Sequence, residues 1–169
     1  MRPRRAARSE PRSDDEAARA ADPTAARAAA IALLARRDLP SGELRERLTQ
    51  HGFAAEAAAA ALAALTAEGA LNDERYAHNY VAYQAGRSRG PIRIGADLRA
   101  RGLPQELIET ALEGGPDWHA AAAVARSRRF GKAAPASWRE KARQARFLQY
   151  RGFSADHIRA ATGADPDTD

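Results

Sequence analysis

The 169-residue chain contains no cysteine. That absence removes disulfide frameworks, zinc knuckles and thiol nucleophiles together, and it fits a reducing cytoplasm. Aromatic residues make up only 6% of the chain. Nowhere does an apolar run reach the length of about 18 residues that a membrane-spanning helix needs. The basic residues 1–8 are not followed by an apolar stretch, so no secretory signal is expected. Four scattered histidines remain as metal ligands, without a His-Glu-x-x-His pair, and no glycine-rich phosphate loop follows a strand. No metal, no cofactor and no catalytic residue is therefore expected. No acids converge at ligand spacing as a metal-dependent nuclease would require. The length itself suits one modest core or a short repeat array, and is too small for a large enzyme.

Charge is present, and it is uneven. Residues 24–72 carry five basic and five acidic side chains, whereas residues 73–163 carry 16 basic against nine acidic, a difference of +7. The positive field belongs to the middle and end of the folded region, where a polyanion or an acidic protein surface is the natural partner. Residues 1–23 are rich in Arg, Asp, Glu, Ala and Pro and hold no large aliphatic residue after Met1, so they are expected to form a disordered tail. Residues 164–169, acidic and proline-containing, are expected to fray as well. Between these tails apolar residues recur at helical spacing, and no β-branched run alternates with polar residues. An all-α fold follows.

An internal repeat organises that fold. Gly52, Gly102 and Gly152 stand 50 residues apart, each followed by a large apolar residue (Phe53, Leu103, Phe153) and preceded four positions earlier by a leucine (Leu48, Leu98, Leu148). An acid follows four positions later each time: Glu56, Glu106, Asp156. A left-handed glycine just past a helix end lets the next apolar residue fold back on the leucine one turn before that end, which is the contact of a Schellman cap. The acid then falls in the first turn of the next helix, where exposed amides favour a carboxylate by about 0.3–1 kcal/mol. A further helical segment precedes each pair, over about residues 24–37, 73–87 and 117–129. Ser41, Asn72 or Asp73, and Pro91 mark helix starts. Three tandem three-helix repeats are predicted, over residues 24–72, 73–116 and 117–163, stacked into an elongated, curved, solenoid-like array with a shared core.

The residues of this frame resemble the RecX family. Ala32-Leu33-Leu34-Ala35-Arg36-Arg37, Ser41-Gly42-Glu43-Leu44-Arg45-Glu46-Arg47-Leu48 and Gly52-Phe53 look like that family's first repeat. Gly69-Ala70-Leu71-Asn72-Asp73-Glu74-Arg75-Tyr76-Ala77 and the stretch Arg89-Gly90-Pro91-Ile92-Arg93-Ile94-Gly95-Ala96-Asp97-Leu98-Arg99-Ala100-Arg101-Gly102 resemble its most distinctive segment. Asn72 stands where the family commonly has Asp. The resemblance implies a cytoplasmic regulator without catalysis that binds along the groove of the RecA filament. It further implies damping of RecA's ATP hydrolysis, strand exchange and coprotease activity. A monomer is expected, because a repeat array needs no partner subunit for stability.

Two arginine-rich stretches are the candidate surface for RecA or for single- or double-stranded DNA. The first holds Arg87, Arg89, Arg93, Arg99 and Arg101, with Asp97 the one acid among them. Arg93 and Arg101 lie eight apart, near one helix face, opposite Ile94 and Leu98. The second holds Arg126, Arg128, Arg129, Lys132, Arg143, Arg146 and Arg151, with Glu140 the single acid between its ends. The planar donor fork of arginine suits phosphate and carboxylate alike. With about six phosphates engaged on a single strand, log affinity should fall against log salt with a slope of about −4. Tyr76, Tyr80 and Tyr83 share one helix face; a base-stacking platform is one reading, but a core stripe is preferred, with Tyr76 its most buried member. A helix-turn-helix regulator of DNA is the alternative function. Its base-reading positions would be the helix starts after the glycine turns, where acids and alanines are poor readers and repel phosphate.

Overall fold

The computed structural model describes residues 14–163, and among them every regular element is an α-helix. Two compact units are present. Among the described residues, one comprises 14–39 together with Leu44–Leu71; the other comprises Pro40–Glu43 together with 72–163.

The first unit holds α1 (Asp14–Ala20), α2 (Pro23–Leu34), most of α3 (Ser41–Gln50) and α4 (Ala55–Ala67). Its core mixes alanine and leucine: Ala26 and Ala30 of α2 and Ala57, Ala58 and Ala61 of α4 are almost wholly buried, packed with Leu44, Leu48, Leu62 and Leu65. Alanine is the strongest helix former, and its small side chain lets backbones approach closely. The helix α1 lies inside the segment whose composition predicts no structure, while residues 1–13 lie outside the described residues. None of its residues is buried. What supports it is three acids in its first turn, Arg19 in its last, and one contact distant in sequence: its final carbonyl, that of Ala20, accepts from the Ala54 amide at 2.8 Å.

The second unit holds two trios. In the first, α5 (Asp73–Gly86), α6 (Pro91–Ala100) and α7 (Gln105–Glu113) enclose Tyr76, Val81, Ile94, Leu98, Leu103 and Ile108. In the next, α8 (Trp118–Phe130), α9 (Trp138–Arg151) and α10 (Ala155–Thr162) enclose Ala122, Ala125, Leu148, Phe153 and Ile158. Polar side chains cap three helix starts, Asn72 as its sequence position predicts. Asn72 accepts from the Arg75 amide, Asp117 from the amides of His119 and Ala120, and Ser137 from the Glu140 amide.

The three glycine turns form as the repeat predicts. Gly52, Gly102 and Gly152 have φ of +88°, +80° and +88°. At each, the following apolar residue donates to the leucine carbonyl (Phe53 to Leu48 at 3.1 Å, Leu103 to Leu98 at 3.3 Å, Phe153 to Leu148 at 3.1 Å), and the glycine amide donates to the next carbonyl on. These are both bonds of the Schellman motif. Leucine and apolar partner share a core in every case.

One role differs from its sequence assignment. Ser41 does not cap α3 with its own oxygen; it is the first residue of that helix, and its amide donates to Asp73 Oδ1 at 2.7 Å while its hydroxyl donates to Asp73 Oδ2. Asp73 thus caps a helix start 32 residues away in sequence, and Asn72 caps its own.

The two trios of the second unit join where helix ends meet. The Gly90 amide donates to the Arg151 carbonyl at 2.8 Å and the Ile92 amide to the Gly152 carbonyl at 3.0 Å. Unpaired donors at the start of α6 therefore satisfy unpaired acceptors at the end of α9, with the two helix dipoles in favourable opposition. A side chain at Gly90 would collide with the backbone of Gly152 and Phe153 at 2.4 Å, so only glycine permits the approach.

Candidate functional site

The candidate residues fall in the second unit, and the structure divides them by what they already hold. Around α5 and α6, Arg89 pairs with Asp97 at 2.9 Å. Arg101 is partly buried: its guanidinium lies 5.0 Å from the Tyr80 ring centroid, donates to the Tyr80 hydroxyl at 3.4 Å, and stands 3.7 Å from Glu43. The hydrogen bond to Tyr80 raises the Arg101 pKa above its ordinary value; burial opposes it, and the charges of Tyr76, Tyr80 and Glu43 reinforce it. These two arginines brace the trio. Arg87 rests on Tyr83, donating to its hydroxyl at 3.1 Å, and Arg99 is held by Gln105 at 2.8 Å. Arg93 is exposed, and it reaches across to the Tyr150 carbonyl at 3.5 Å.

Tyr76 and Tyr80 stack on each other, with Tyr76 buried to 7% exposure, so α5 carries the core stripe the spacing favours. Only Tyr83 of the three is open to solvent.

Around α8 and α9 the division is sharper. Arg126, grouped with the basic surface by sequence, is only 8% exposed. Its guanidinium donates to the carbonyls of Ala133 (2.9 Å) and Lys132 (3.3 Å) and to Gln144 Oε1 (3.3 Å), so it pins the connection between α8 and α9 from within. Arg128 donates to the Gly86 carbonyl at 3.0 Å and to Ser88 Oγ, tying α8 to the end of α5. Lys132 is exposed on the connecting loop.

The remaining arginines gather around aromatic rings. Phe130 and Phe147 meet edge to face with centroids 5.3 Å apart. Arg143 and Arg129 lie 5.3 and 5.6 Å from the Phe130 centroid, and Arg151 lies 5.4 Å from that of Phe147. Together Arg129, Phe130, Arg143, Arg146, Phe147 and Tyr150 line an open concavity of about 560 Å³. No acid borders it. Sequence reasoning passed over these aromatics, although the signal was present: Arg143, Arg146, Phe147 and Tyr150 are spaced by three, one and three, a single helix face.

At the other end of α8 and α10 a smaller polar cluster forms. His119 Nε2 lies 2.8 Å from Asp156, its ring stands edge-on to His157, and His157 Nδ1 accepts from the Ser154 amide. The His119 hydrogen bond lowers the Asp156 pKa, and burial lowers that of His157. Among the described residues no group of three or more His, Asp or Glu side chains is placed to hold a metal, and no helix is long and apolar enough to cross a membrane.

Comparison with known proteins identifies this architecture. Residues 26–65, 72–112 and 117–162 match, in order, the first, second and third three-helix domains of RecX. The chain is 43% identical to Regulatory protein RecX of Halorhodospira halophila over 146 residues, covering 86% of this chain and 91% of that one. It is 44% identical to Regulatory protein RecX of Pseudomonas savastanoi pv. phaseolicola over 137 residues, covering 80% and 88% respectively. The crystal structure of RecX from Lactobacillus salivarius has the same fold, with a TM-score of 0.73 at 21% identity over 83% of this chain and 94% of that one.

Proposed function

The chain belongs to the RecX family, and from that premise we propose that it regulates RecA by binding the RecA–DNA filament along its groove. In this reading it damps ATP hydrolysis, strand exchange and coprotease activity by occupancy and performs no catalysis. The observation that carries the reading is the segregation of charge. Of the cations behind the excess of +7 over residues 73–163, Arg87, Arg93, Arg99, Arg129, Arg143 and Arg146 are exposed, while two of the nine acids are engaged by neighbours, Asp97 by Arg89 and Asp73 by Ser41. A surface of that kind is attracted to a polyanionic filament and to acidic protein faces upon it. Arg87, Arg93, Arg99, Arg129, Lys132, Arg143, Arg146 and Arg151 are the contact residues in this proposal. Arg89, Arg101, Arg126 and Arg128 shape the surface instead.

A base-reading regulator draws less support, since the first turns of α4 and α7 carry Glu56 and Glu106 and that of α10 carries Asp156. RecA-dependent ATP hydrolysis on single-stranded DNA, titrated with this protein at two salt concentrations, tests the reading. Dose-dependent inhibition that weakens with salt is expected. Unchanged hydrolysis at saturating protein, with no co-sedimentation with filaments, would overturn it.

A further inference from the structure

We propose that the concavity between α8 and α9 receives an unpaired base of a single-stranded nucleic acid, with the flanking phosphates held by Arg129, Arg143 and Arg146. The assignment rests on the RecA reading for its biological setting, a filament built on a single strand, and names what one part of that surface binds.

Three observations carry it. The concavity of about 560 Å³ has the size of a small-ligand site and is walled by both aromatic rings and guanidinium groups. Tyr150, on its rim, is 78% exposed, and so large an aromatic left open beside arginines offers a face for stacking. The guanidinium planes near Phe130 and Phe147 are themselves stacking surfaces as well as phosphate donors. Arg93, arriving from α6, adds a cation beside Tyr150.

The combination selects a single strand over the other polyanions. A duplex keeps its bases paired and stacked, so it offers phosphates to the arginines and nothing to the rings. An acidic peptide likewise engages the arginines alone. A single strand can turn a base out, and stacking accepts any base, so strand state is discriminated without sequence preference.

The test uses the full chain without RecA. Its probe is a short single strand carrying one 2-aminopurine, whose fluorescence is quenched on stacking, compared with the same strand in a duplex and with polyglutamate as competitor. Quenching with tighter binding of the single strand is expected. Tyr150→Ala should weaken that binding by about five- to a hundredfold and leave its salt slope unchanged. Tyr150→Phe should bind as the parent does. Arg146→Gln should instead lower the slope by about 0.7. Equal affinity for duplex, competition by polyglutamate at equal charge, or a Tyr150→Ala variant with unaltered affinity would each overturn the proposal. If the pocket fails in this way while the protein still co-sediments with RecA filaments and slows their hydrolysis, the filament reading stands alone. Quenching that depends on Tyr150 without any effect on RecA supports the pocket and removes the filament reading.

Discussion

Replacing Gly152 with alanine should cost far more than the same change at Gly52, although the two glycines share a φ of +88° and the same place in the repeat. At Gly52 an added Cβ meets nothing within 4 Å. The cost there is the left-handed backbone alone, about 1–2 kcal/mol. At Gly152 the added atom would stand 2.4 Å from Arg93 Cβ and 2.6 Å from Arg93 N, the first turn of α6. Those atoms belong to backbone and its first side-chain carbon, which cannot swing aside, so α6 must move away from α9. Such overpacking adds about 1–3 kcal/mol, and stretching the Gly90–Arg151 and Ile92–Gly152 hydrogen bonds adds about 1 kcal/mol each, which with the backbone cost makes a total of about 4–7 kcal/mol. Urea unfolding followed by far-ultraviolet circular dichroism measures both variants. Tryptophan fluorescence localises the loss, because both tryptophans, Trp118 and Trp138, lie in the last trio. Equal destabilisation of the two variants would refute the close approach of α6 to α9.

Other outcomes follow from single contacts. Arg126→Met should destabilise by about 2–4 kcal/mol by stripping donors from carbonyls in the α8–α9 connection, and a parent-like melt combined with weakened RecA inhibition would place Arg126 in the interface instead. Asp73→Ala should cost about 0.5–2 kcal/mol through the lost cap on α3; unchanged urea stability would refute that role. His157 has a pKa below its ordinary 6.5, chiefly through burial and next through the charge of His119, against the pull of Asp156 and Asp117. A base depressed in the folded state adds stability above its unfolded pKa and loses it as pH falls through the folded one. Protonation also removes the lone pair that accepts from Ser154. The melting temperature should therefore fall on going from about pH 7.5 to about pH 5, and His157→Gln should flatten the decline; a parent profile already flat would refute the role.

The elements legible in the sequence are those fixed within one turn of the chain. The glycine turns could be read because leucine, glycine and apolar residue lie within six positions, and both hydrogen bonds of the cap close inside that window. The cap by Asn72 is local in the same sense. What escaped was long-range or depended on a loop. Asp73 sits where a helix cap belongs, yet its partner is Ser41, and nothing near Asp73 in sequence announces this. Arg126 lies in the most basic stretch, where local charge density argues for solvent. Its burial depends on the carbonyls of Lys132 and Ala133 turning back towards it. The helix α1 forms where the composition offers no core residue, on alanine propensity and end charges that a burial argument does not weigh.

This division of arginines alters what electrostatics should be measured. A sum over residues 73–163 treats every cation as available, but Arg89 is neutralised by Asp97, Arg101 is shared between Tyr80 and Glu43, and Arg126 is spent on carbonyls. Of the rest, three line the aromatic concavity: Arg129, Arg143 and Arg146. At about 0.7 per phosphate these give a salt slope of about −2 for a single strand, against about −4 when six cations are counted along the chain. Both the number and the residues responsible differ. Neutralising Arg87 and Arg99 together should leave the slope for a single strand where it was, because neither borders the concavity, whereas neutralising Arg129 and Arg143 should lower it by about 1.4. A slope that responds equally to both pairs would mean that the strand follows the whole basic face, and that the rings between α8 and α9 have no part in holding it.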